Sequence, residues 1–170
     1  MDFSVTILGS SSAMPTVNRC PSAQLVSVHR RSFLVDCGEG TQLQLLRCGL
    51  PIVKIDRIFI SHLHGDHLFG IFGLMSTLSM MGRREPLHIY APGNLQQVLD
   101  DHLRHFGDGM AYAPVVHCLS ADRAALAFED AHVAVSSFPL RHRVPACGFL
   151  FQEKAPQRNI RKEAIAEHRL

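Results

Sequence analysis

The sequence predicts an α/β protein, a sheet covered by helices on at least one face. Two observations carry this. Apolar runs of strand length alternate with helix-spaced segments early in the chain, and strand-like runs then dominate. A length of 170 residues, 46% hydrophobic and 19% charged, suits one domain with a sizeable core and argues against disorder.

Phe3 to Leu8 reads as a buried strand that ends at Gly9-Ser10-Ser11-Ser12. Pro15 to Pro21 is an irregular loop. Ala23 to Val28 and Ser32 to Val35 read as paired strands with His29-Arg30-Arg31 at the turn, and Asp36-Cys37-Gly38-Glu39-Gly40 breaks the second. Thr41 to Cys48 has helical spacing, with Leu43, Leu45 and Leu46 as apolar faces and Gly49 as the stop. Ile55 to Ile60 is a strand. Asp66 is placed to cap a helix from about His67 to Met81, its carboxylate at the positive end. Leu87 to Tyr90 is a short strand closed by Ala91-Pro92-Gly93, and Asn94 is placed to cap a helix from about Leu95 to His105. Ala113 to His117, Ala125 to Phe128, His132 to Phe138 and Gly148 to Glu153 follow as strands. A boundary stands at Pro156, which separates residues 1–155 from a basic, polar tail, 156–170; no internal repeat is visible.

A net charge of +2 permits nucleic-acid binding without demonstrating it. Five scattered cysteines with no C-x-x-C pair argue against a disulfide framework and for a reducing cytosol. The N-terminus shows no basic n-region or cleavage site, and the apolar stretch Leu68 to Met81 is too short to span a bilayer. A soluble cytoplasmic protein with no membrane partner is expected.

The chemistry concentrates in Ser61-His62-Leu63-His64-Gly65-Asp66-His67, an H-x-H-x-D-H cluster directly after an apolar run. A lone histidine is usually structural or solvated, and this chain has eleven. Three imidazoles and a carboxylate within six positions are a metal-ligand set, suited to zinc, with iron or manganese also accepted. On an extended segment His62 and His64 point the same way and can chelate one ion. Asp66 and His67 can face a second, which makes the nucleus of a two-metal hydrolytic site.

Other positions are read against that cluster. His142, between Arg141 and Arg143, is in isolation a surface histidine. Beside a site that needs a third imidazole it becomes a ligand, because catalytic zinc commonly takes three protein ligands plus water. Arg141 and Arg143 are either solvated or meet a phosphate. Asp36 is either a turn former or a carboxylate that orients a ligand histidine, and spacing leaves both open. The loops at Gly9 and Gly38 fit neither a dinucleotide nor a P-loop pattern and read as tight turns near a site. No pairing suggests a covalent nucleophile.

The H-x-H-x-D-H cluster after a strand resembles the metallo-β-lactamase superfamily. Three further blocks narrow this: Leu8-Gly9-Ser10-Ser11-Ser12-Ala13-Met14-Pro15-Thr16, Phe33-Leu34-Val35-Asp36-Cys37-Gly38-Glu39-Gly40-Thr41-Gln42, and His142-Arg143-Val144-Pro145-Ala146-Cys147-Gly148-Phe149. With the cluster they resemble ribonuclease Z, in order and over nearly the whole chain. The resemblance implies an αββα sandwich, here its N-terminal half over 1–155, with 156–170 at the start of the arm region that grips tRNA. It implies a homodimeric, two-zinc endoribonuclease that removes the 3′ trailer from precursor tRNA. His62, His64 and His142 would bind one zinc, and Asp66 and His67 the other. Asp66 would also handle the proton of the attacking water.

Two departures shape the expectation. Family chains continue past Leu170 and carry, in that missing C-terminal half, a bridging Asp, a further His ligand, a His that assists the leaving group and most of the arm. The fragment alone is therefore expected to be inactive. The family often shows P-x-K-x-R-N where this chain has Pro15-Thr16-Val17-Asn18-Arg19-Cys20. Arg19 matches as a contact to the tRNA end; the lysine and the asparagine do not. The alternatives are a phosphodiesterase of the same fold acting on small substrates and a catalytically incomplete half-domain.

Overall fold

The computed structural model describes residues 3–14 and 16–155. Its larger sheet holds β1 (Phe3–Gly9), β2 (Ala23–Val28), β3 (Arg31–Val35), β4 (Ile55–Phe59), β5 (Leu87–Pro92) and β6 (Pro114–Leu119), side by side in chain order. The first three strands run antiparallel, because β2 and β3 are joined by a tight turn in which His29 takes a left-handed φ of 53°. From β3 onward the pairing is parallel, which requires a crossover between neighbours. The crossovers are α1 (Thr41–Arg47), the pair α2 (Gly65–Leu68) and α3 (Gly70–Met80), and α4 (Leu95–Phe106). A second, antiparallel sheet follows, built of β7 (Ala125–Glu129), β8 (Val133–Pro139) and β9 (Cys147–Glu153).

The inner strands of the larger sheet, β2 to β5, are packed on both faces. Leu25, Leu34, Ile58 and Ile89 pack with Leu45, Ile71, Leu74 and Leu99 of the helices. From the opposite face Val26, Phe33, Phe59 and Tyr90 meet Val133 and Val135 of the second sheet, with half-buried Phe128, Phe149 and Phe151 against them. Neighbouring residues such as Phe33 and Leu34 are both fully buried because successive side chains point to opposite faces. The described layers are thus helix, sheet, sheet. The tail over 156–170 lies outside the described residues.

Four expectations need correction. β1 forms, but it is not a buried strand. It is the edge of the sheet, and Phe3, Val5 and Ile7 are 43%, 52% and 59% exposed. In register with Val28 and Val26, Phe3 and Val5 project on the face that the second sheet covers farther in. The single helix from His67 to Met81 is two helices, broken at Phe69. The break has a cause. The Cys37 amide donates to the His67 carbonyl (2.8 Å), and the Gly70 amide donates to the Cys37 carbonyl (2.9 Å). The turn after β3 therefore takes hydrogen bonds that a continuous helix needs for itself. Asp66 is not the cap: His64 holds that position and Asp66 lies in the first turn of α2. Asn94 does stand at the start of α4, but its amide donates to Gln97 and caps nothing.

Candidate metal centre

The carboxyl end of β4 delivers the histidine cluster at the rim of the parallel strands, where open α/β sheets place their sites. The Ile60 amide still pairs with the Tyr90 carbonyl (2.8 Å); beyond it the chain leaves the sheet as Ser61 to His64 and enters α2. The loop between β8 and β9 brings the third imidazole. It is closed by a hydrogen bond from the Leu140 amide to the Ala146 carbonyl (3.0 Å) and pinned by one from the Cys147 amide to the Ser61 carbonyl (2.8 Å). His64 and His142, 78 apart in sequence, thereby meet.

His62, His64 and His142 each offer one ring nitrogen, all within 4.8 Å of one another. His62 Nε2 lies 3.1 Å from His64 Nδ1, and His142 Nε2 lies 3.3 Å from the same atom. Two nitrogens bound to one tetrahedral ion at 2.0–2.1 Å stand about 3.3 Å apart. The spacing therefore fits a metal ion. His64 Nδ1 faces both neighbours at once, an arrangement better satisfied by a shared cation than by a chain of N–H···N bonds. Burial, and then the charges of His67, His142 and His64, push the His62 imidazole down to about 4. It is neutral near pH 7, as a metal ligand must be. Ser61 Oγ lies 3.0 Å from its other nitrogen, Nδ1.

Asp36 directly follows β3. It is a turn residue with φ 55°, in the left-handed region. Its carboxylate also gathers three donors: the Ser61 amide on Oδ1 (2.8 Å), and Ser22 Oγ (3.0 Å) and His67 Nδ1 (2.5 Å) on Oδ2. Burial pulls the His67 imidazole down, but the hydrogen bond and charge of Asp36, with the charge of Asp66, outweigh it and hold His67 above its ordinary value. With Nδ1 engaged, His67 Nε2 is the free nitrogen, and Asp66 Oδ2 lies 3.5 Å from it. A carboxylate that fixes a histidine in this way is a common support for metal ligands.

The turn reaches the cluster by close backbone contact. A Cβ on Gly38 would stand 2.4 Å from the Asp66 carbonyl oxygen, and one on Gly70 2.0 Å from that of Gly38. Two open clefts flank the cluster. One, of about 490 Å³, is lined by Ala13, Pro21, Glu39, His64, Gly65, Asp66, Phe69 and Arg143. The other, of about 440 Å³, includes Ser120, Asp122, His142 and Arg143. Arg143 lines both. Arg19 and Arg141 are exposed and line neither. Spacing did not single out Ser22, Ser61 or Phe69. Ser61 is adjacent to the motif and could have been suspected; nothing local marks Ser22.

A family model described as Anti-Pycsar protein Apyc1 matches residues 3–120. The chain belongs to that family. The Apyc1 match takes in the larger sheet, its helices and His62 to His67, whereas His142 lies beyond it. The chain is also 42% identical over 163 residues to Ribonuclease Z of Phocaeicola vulgatus, covering 96% of this chain and 53% of that one. To Ribonuclease Z of Porphyromonas gingivalis it is 44% identical over 162 residues, covering 95% and 53%. It thus spans about half the length of the curated relatives it matches. Among solved structures, human tRNase Z, short form, superimposes with a TM-score of 0.80 at 35% identity, covering 88% of this chain and 64% of that one. The metallo-β-lactamase fold protein YhfI from Bacillus subtilis, at 21% identity and a TM-score of 0.65, covers 87% and 58% and shares the fold. This Apyc1-family chain has a metallo-β-lactamase fold.

Proposed function

We propose that the chain carries the metal-binding part of a zinc-dependent endoribonuclease that removes the 3′ trailer from precursor tRNA. The observation that carries this is the set of three imidazole nitrogens spaced for one ion beside the Asp36-held His67. Relatives named Ribonuclease Z and tRNase Z support RNA as the substrate. His62, His64 and His142 hold one zinc. Asp66 and His67 belong to a second, and the same donors accept Mn2+ or Fe2+. When bound, the metals supply Lewis-acid chemistry: they lower the pKa of water and neutralise charge on the phosphate oxygens.

The chain's own residues do the rest. The Asp66 carboxylate takes the proton of the attacking water. Asp36 keeps the His67 ring in one orientation, and Arg143, shared by the two clefts, meets the phosphate. In-line attack leaves a 3′-hydroxyl on the tRNA and a 5′-phosphate on the trailer, with no need of the 2′-hydroxyl. The second ion has two donors among the described residues. In this reading its remaining ligands come from a C-terminal half, the chain alone is inactive, and the complete enzyme is a cytoplasmic homodimer.

A second reading, a phosphodiesterase of small substrates, is favoured by the family match, whose description is not that of a tRNA enzyme. One experiment separates the two. The chain is joined to the C-terminal half of the Phocaeicola vulgatus relative, loaded with zinc, and given precursor tRNA, a cyclic nucleotide and a simple phosphate diester. Trailer removal that is lost in His64→Ala supports the first reading. Uncut precursor tRNA beside a well-cleaved small diester supports the second.

A further inference from the structure

Phe69 departs from its surroundings. In the same stretch Leu68, Ile71 and Leu74 are core residues, yet Phe69 is 63% exposed. It stands at the break between α2 and α3, with helical backbone angles (φ −62°, ψ −22°) and its amide bonded to the Gly65 carbonyl (2.8 Å). Its ring lies directly on Gly65: a Cβ there would be 2.3 Å from Cε2 and 2.5 Å from Cζ. Glycine between His64 and Asp66 thus lets an aromatic ring rest on the backbone of the ligand loop. One edge of the ring is seated on that loop, while much of its surface stays open to the cleft that holds His64, Asp66 and Arg143.

We infer that Phe69 is a stacking platform for the nucleobase next to the scissile phosphate. A single exposed apolar residue is ordinary. A ring fixed close to the candidate ligands, in a cleft with an arginine, is placed for a nucleotide. Its phosphate can lie at the metal centre while its base lies on the aromatic face. Stacking of this kind tolerates any base, because every base has a π-face. The role assigned to Phe69 is positioning, and it rests on RNA being the substrate.

The test uses the whole chain with zinc and the absence of tryptophan from its sequence. Phe69→Trp introduces a single indole whose fluorescence reports stacking. A short single-stranded RNA is expected to quench it, and an abasic oligomer of equal length and charge is not. Phe69→Leu is expected to weaken RNA binding roughly tenfold relative to wild type while binding the abasic oligomer equally well. The leucine comparison carries the test alone if the indole disturbs the fold. If wild type and Phe69→Leu bind RNA alike, stacking is overturned and RNA as substrate stands. If wild type joined to the C-terminal half of the Phocaeicola vulgatus relative also binds neither oligomer, the RNA reading falls and the platform with it.

Discussion

At the residue scale, two histidines a few positions apart carry opposite electrostatics. His62 is held at about 4, against an ordinary 6.5, by burial and by its histidine neighbours. His67 is held above 6.5 because Asp36, together with the charge of Asp66, outweighs burial. In metal-free protein a falling pH should protonate His67 before His62, which follows near pH 4, in an NMR titration of the ring nitrogens. The consequences for stability have opposite sign. Below pH 6.5 the unfolded chain takes up a proton that folded His62 refuses, so His62 lowers stability between 6.5 and about 4. The contribution of His67 is fully present below 6.5 and is lost as pH rises through its folded value. Asp36→Asn should keep the backbone, since asparagine tolerates the left-handed region. With that charge gone, only Asp66 opposes burial, and His67 should titrate lower than it does in the wild type. Unchanged titration of His67 in that variant would mean that Asp36 does not set its proton affinity.

At the element scale, the local motif was legible and its support was not. His62, His64, Asp66 and His67 lie within six positions, so their pattern announces itself. His142 could be read as a ligand only beside them. The contact of Asp36 with His67 joins residues 31 apart, and spacing left it undecided. The broken helix was illegible for a related reason. Residues 67–81 are a good helical stretch, and what interrupts it is a hydrogen-bonding turn from another part of the chain. That turn fits because Gly38 and Gly70 have no side chain at the crossing. Gly70→Ala puts a Cβ 2.0 Å from a backbone oxygen and should destabilise by about 1–3 kcal/mol or more in urea unfolding, with weaker metal binding. Gly82→Ala is the comparison: φ is +84°, the surroundings are open, and the effect should be ~1 kcal/mol of backbone strain with metal binding intact. Equal effects on metal binding would mean that the crossing does not position the site.

At the scale of the whole molecule, two sheets and one helical layer place three imidazoles from two chain segments around one point. The alternation of strands and helices implies a sheet covered by helices, while the second sheet was expected only from the resemblance to the metallo-β-lactamase superfamily. The exposure of β1 was not foretold. Phe3, Val5 and Ile7 have the composition of a buried strand, and burial depends on what lies opposite, which a strand's own residues do not encode. The same holds for the metal centre. In the proposed centre, three nitrogens spaced for one ion converge in the described residues, whereas a second ion would have only Asp66 and His67 there. The central claim is therefore a count. Purified chain, saturated with zinc, dialysed and measured by elemental analysis, should hold one tightly bound ion that is lost in His64→Ala and in His142→Ala. No bound ion, or two held tightly by the chain alone, would contradict the account.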